Sequence, residues 1–119
     1  MIGLSILKQA YHLLESADKA ANADGDEMGL MAVNQIYSEL WHREHKEPFR
    51  PLSVLRQRVE LSWRFLPALA YGTAMLLCLN NEKSGSYIRL QTLYERAASH
   101  TGGLAEPRQQ TLFRVGEDV

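Results

Sequence analysis

The sequence holds one cysteine, Cys78. A single thiol excludes an internal disulfide framework and fits a reducing cytoplasm. Long apolar runs are missing too. The longest, Leu66–Leu79, is interrupted by Pro67, Tyr71, Gly72 and Thr73, so no bilayer-spanning segment is expected. The start of the chain has no basic, apolar and cleavage-site order, so no secretory leader is expected. Neither sign of charge dominates: the formal net charge is −1, which gives no overall pull toward nucleic acid or anionic membrane. What is present is ordinary for a folded domain. The chain has 119 residues, 45% of them apolar and 23% charged. That length suits one domain burying roughly two-thirds of its unfolded surface. Composition implies a small intracellular domain and names no activity.

The charge is unevenly spread. Residues 1–47 carry a net −4 and residues 48–119 a net +3. Two faces of opposite sign suit a partner or a neighbouring copy, although charge runs often do no more than solvate helices.

Hydrophobic periodicity predicts an all-α fold of four helices, with an extended Pro-containing connector between the second and third and a short extended tail. The first helix is expected from about Ser5, as N-cap, to Asn22, with Leu7, Ala10, Tyr11, Leu14, Ala17 and Ala21 as its apolar stripe. Asn22-Ala23-Asp24-Gly25 reads as a turn. The second helix is expected from Asp26, as cap, to His45, burying Leu30, Val33, Tyr37, Leu40 and Trp41 with Ile36 alongside. Pro48 and Pro51 then force extended backbone around Phe49 and Arg50, and Glu47–Arg58 reads as a connector crossing the helical core, with room for a short helical turn or strand but no second strand run to pair with a full one. The third helix, from about Ser62 to Leu79, is apolar on nearly all sides and reads as central. Pro67 places either a lead-in turn at Trp63–Leu66 or a first-turn proline. The fourth runs from about Ser84 to His100, with Ile88, Leu90, Gln91, Leu93, Tyr94, Ala97 and Ala98 inward and Thr101-Gly102-Gly103 as its end. Residues 1–103 thus form one helical domain. Residues 104–119 form a tail, flexible or docked on a partner as an added strand through Leu112, Phe113 and Val115.

Motifs for chemistry are weak. His42 and His45 lie three apart, but no zinc-protease order and no third ligand accompany them. Asp24-Gly25-Asp26-Glu27 lacks the closing glutamate of a calcium loop, since counting twelve residues from Asp24 reaches Gln35. Cys78 sits among leucines, without the basic neighbour a reactive thiol needs. No nucleophile elbow, Walker loop or dinucleotide glycine pattern occurs. No catalytic residue, metal or cofactor is therefore expected, and an enzyme is not. The candidate interface is a basic and aromatic cluster: Phe49, Arg50, Arg56, Arg58, Trp63 and Arg64, joined by the tail residues Leu112, Phe113 and Val115. Arginines beside aromatics also suit nucleic acid, so a regulatory helical module binding a protein partner or DNA through Phe49–Arg64 is the alternative.

Several stretches carry a resemblance. Pro51-Leu52-Ser53-Val54-Leu55 is followed by Val59-Glu60-Leu61-Ser62 and by Leu66-Pro67-Ala68-Leu69-Ala70-Tyr71-Gly72-Thr73-Ala74. Upstream lies Val33-Asn34-Gln35-Ile36-Tyr37, and downstream Leu93-Tyr94-Glu95-Arg96-Ala97. In this order the pieces, within residues 28–98, resemble the head–tail connector (neck adaptor) proteins of tailed bacteriophages and prophages. That family commonly has Gly-Asp in the turn after the buried helix, where this chain has Asn81-Glu82-Lys83-Ser84. The resemblance implies a non-catalytic virion part that assembles as a ring below the portal and takes part in DNA packaging and head completion. Its implied partners are copies of itself, the portal or other neck proteins, and DNA passing through the channel without sequence-specific contact, with no membrane. It would reside in the host cytoplasm and then in the virion neck.

Overall fold

The computed structural model describes residues 1–79 and 84–104. Among these residues the fold is all-α, as periodicity predicts, but with five α-helices instead of four: α1 (Gly3–Leu13), α2 (Ala17–Ala21), α3 (Glu27–Glu44), α4 (Leu66–Cys78) and α5 (Tyr87–Leu104). Short 3-10 turns, Trp63–Phe65 and Ser84–Ser86, lead into α4 and α5. Among the described residues no strand forms, and one isolated antiparallel bridge joins Ile2 to Arg58. No helix of the described residues is long and apolar enough to cross a membrane. The tail residues Leu112, Phe113 and Val115 lie outside the described residues.

The expected first helix is two. At Leu14 the chain turns out of α1, Glu15 takes a φ of 56°, and two reverse bonds close the end. Ser16 N–H donates to the Tyr11 carbonyl at 2.9 Å, and Glu15 N–H to that of His12 at 3.0 Å. This is the Schellman arrangement, with glutamate where glycine is usual. Ala17 and Ala21 end up exposed, while Ala20 and Ala23 turn inward. The N-cap is also displaced, from Ser5 to Ile2, whose side chain caps nothing. The free N–H groups of α1 go instead to the distant connector: Gly3 to the Gln57 carbonyl at 3.0 Å and Leu4 to the Leu55 carbonyl at 2.7 Å.

Helix α3 starts as expected. The Asp26 carboxylate accepts from Gly29 N–H at 3.0 Å, and the preceding Gly25 holds a φ of 89°. A second Asp26 oxygen accepts from the Tyr11 hydroxyl, so one cap ties α1 to α3.

Helix α4 is the hub and packs on α1, α3 and α5. Both lead-in readings of Pro67 hold, because the Trp63–Phe65 turn precedes a helix whose second residue is that proline. Its one buried polar side chain, Thr73, donates to the Leu69 carbonyl at 2.7 Å. Gly72 is a point of close approach. A Cβ there would come within 2.7 Å of Ile36 Cγ2 and 2.9 Å of Tyr94 Cδ1. Helix α5 buries Leu90, Tyr94 and Ala98, one residue per turn, and leaves Ile88, expected inside, 72% exposed. The helix also continues through Gly102-Gly103 to Leu104.

The Tyr94 hydroxyl donates to Glu39 at 2.6 Å, and burial together with this carboxylate raises its pKa, as burial and Asp26 do for Tyr11. Both phenols favour the neutral form in the fold more than in the unfolded chain. Their contribution is complete below about pH 10 and is lost as pH rises beyond it. Stability measured by denaturant unfolding should therefore fall above about pH 10, and Tyr94→Phe should flatten that fall. Glu15→Gly should stabilise the chain by about 0.5–1 kcal/mol in urea unfolding, since a left-handed residue with a Cβ is strained.

Candidate functional site

The connector, residues 45–62, holds most of the expected interface residues, and with little regular structure of its own its backbone polar groups need other partners. Helix α3 supplies many of them. The Asn34 amide grips Leu52 from both sides: its Nδ2 donates to the Leu52 carbonyl at 2.9 Å, and its Oδ1 accepts from Leu52 N–H at 2.8 Å. One turn on, the Tyr37 hydroxyl accepts from Glu60 N–H at 2.8 Å. The Trp41 indole donates to the Glu47 carbonyl at 2.7 Å, and the Glu44 carboxylate accepts from Ser62 N–H at 3.0 Å. The connector also folds on itself, with the Gln57 side-chain oxygen accepting from Ser53 N–H and Val54 N–H. Asn34, Tyr37, Trp41 and Glu44 recur at helical spacing, so one face of α3 serves as a rack for the extended chain.

On this rack the expected interface residues separate. Phe49 is half-buried, edge-on to Tyr37 with ring centroids 5.1 Å apart, and is a packing residue. Arg56 is tied to Asp24, donating from Nη2 and Nε at 2.7 and 3.1 Å to one carboxylate oxygen. That pair fastens the connector to the turn before α3. Arg50 and Arg58 are exposed and line one open cleft of about 720 Å³ with Tyr37, Trp41 and Pro51. Neither has an ion-pair partner among the described residues. Trp63 stands apart, 75% exposed, with the Arg64 guanidinium 5.9 Å from its ring centroid. It borders a second, mostly apolar groove of about 570 Å³ between α1 and α4. The expected cluster is therefore dispersed: a packing residue, a fastened arginine, an arginine pair in one cleft and a tryptophan–arginine pair at another.

The histidines do not converge. His45 lies past the end of α3 with extended backbone, its ring 3.9 Å from that of Trp41 and its Nε2 2.9 Å from the Glu60 carbonyl oxygen, while His42 is exposed. Among the described residues, no group of three His, Cys, Asp or Glu could hold a metal ion. Burial pushes the Cys78 thiol pKa up and its sulfur lies 3.1 Å from the Met75 carbonyl oxygen, as suits a packed residue. Sequence reasoning took Tyr37 and Trp41 as core alone, whereas their polar tips hold the connector. The available signal was that both are aromatic residues with a polar handle, at one-turn spacing from Asn34.

No family model, curated protein or solved structure matches this chain.

Replacing Asn34 by Leu removes two hydrogen bonds and strands both polar groups of Leu52, a residue 6% exposed. Asn34→Leu should cost about 2–3 kcal/mol in urea unfolding. Amide exchange should accelerate first at Leu52 and Glu60, before the α4 amides respond.

Proposed function

We propose that this chain is a structural subunit of the head–tail connector of a tailed phage or prophage. In this reading it assembles as a ring below the portal and takes part in DNA packaging and head completion. The observation that carries it is where the resembling stretches meet. Asn34 grips Leu52, and Gly72 lies between Ile36 and Tyr94. Four of the five stretches, Val33–Tyr37, Pro51–Leu55, Leu66–Ala74 and Leu93–Ala97, are therefore in contact as parts of one scaffold.

The scaffold holds an irregular connector rigidly at the surface and leaves Arg50 and Arg58 beside Trp41 and Tyr37. Arginine and aromatic residues are favoured where copies of a protein meet. The acidic first part of the chain and the basic remainder suit a head-to-tail contact, which closes into a ring when its rotation allows. The role assigned is mechanical, and DNA would pass through the ring without being read. A DNA-binding module is less well supported, because the arginines of Phe49–Arg64 occupy separate parts of the surface.

Light scattering over a concentration series should reveal self-association, or a pull-down with a portal protein from the same locus should retain it. Arg50→Glu combined with Arg58→Glu should weaken that association at least tenfold with helical circular dichroism unchanged. A chain that stays monomeric at high concentration and ignores the portal would sink the proposal.

A further inference from the structure

The groove beside Trp63 is an interaction surface of a different kind from the arginine cleft. Leu13 of α1 and Leu66, Pro67, Ala70 and Tyr71 of α4 line it, and Trp63 stands at its edge. Met1, Gln9 and His12 complete the lining, which contains no carboxylate side chain. A tryptophan this exposed on an apolar groove marks a surface that something covers.

The course of the chain indicates what covers it. Helix α5 runs antiparallel to α4: the Ser84–Ser86 turn before it packs on α4, Tyr94 meets Gly72, and α5 also packs on the Trp63–Phe65 turn. The end of α5 therefore lies beside the start of α4, and the chain leaves Leu104 on the side of the Trp63–Phe65 turn. Beyond it come fifteen residues containing the apolar group Leu112-Phe113-Arg114-Val115. From Leu104 to Leu112 an extended chain spans up to about 28 Å, ample to reach the neighbouring groove. In an extended segment Phe113 and Val115 would share one side, with Arg114 on the other. The acidic pair Glu117-Asp118 then follows, and the groove opposes it with no negative charge.

We propose that this groove is the seat of Phe113 and Val115 of the same molecule. The tail then covers Trp63 and Leu66 and latches α5 to the face between α1 and α4. The proposal does not rest on the neck reading, since the latch needs no phage partner.

The test places a photoreactive benzoylphenylalanine at position 113 of the full chain and irradiates a mixture of isotopically heavy and light molecules. The expected product is a cross-link within one molecule, mapping to residues 63–71 or 9–13. Trp63→Ser, a change at an exposed site that leaves the helical core intact, should lower its yield at least fivefold. Fluorescence should agree: Phe113→Asp with Val115→Asp should raise the iodide quenching of Trp63 at least twofold. Cross-links between heavy and light chains would place the tail on a second copy and overturn the proposal. Cross-links to another part of the surface, or none, would overturn it as well.

Discussion

The side-chain amide of Asn34 is the interaction on which the surface of this molecule depends. A connector with two prolines cannot satisfy its own backbone, and buried Leu52 would leave a donor and an acceptor stranded. One amide presents both complements in one plane, so it fixes the connector's position and its direction together. The other α3 contacts follow from that register. With Leu52 held, Glu60 and Ser62 come within reach of Tyr37 and Glu44, and Arg56 within reach of Asp24. The last pair is exposed and adds little energy, but it points the tip of the connector at a particular place.

Under this surface, α4 sets the spacing of the bundle. Gly72 lets Ile36 and Tyr94 close on one point of the α4 backbone, and any side chain there would push two helices outward. Tyr94 also reaches past the contact to Glu39, joining α5 to α3 across the hub. The connector rack and the helix core thus share α3 as their common member. A shift of α3 against α4 would move Asn34 and the connector with it.

Much of the fold was legible in the sequence. The four apolar stripes located most of the core, the wholly apolar stretch identified the central helix, and Asp26 marked the start of α3. The break at Glu15 was not legible, because no glycine or proline marks it and the apolar spacing runs on through Ala17. Tertiary packing, with Ala20 and Ala23 as the alternatives, outweighed the local pattern. Ile88 was misplaced for a related reason: α5 fully buries Leu90, Tyr94 and Ala98 and only partly covers Leu93 and Ala97, so the periodic stripe is wider than the buried one. The candidate site was less legible still. Composition pointed to arginines and aromatics in the right segment, but which arginine is fastened and which is free depends on Asp24, remote in sequence. Asn34 was visible as part of a motif, and its two-sided grip on Leu52 was not.

The bridge between Ile2 and Arg58 ties together points nearly half the chain apart. Loops of that size close late in folding, after local helices have formed and begun to pack. The capping bonds from Gly3 and Leu4 to the connector share this delay, so the start of α1 and the displayed surface become ordered in the same event. A chain still being synthesised, or one caught half folded, would carry helices but not the finished outer contour. The outer contour of the connector is thereby tied to the completion of folding.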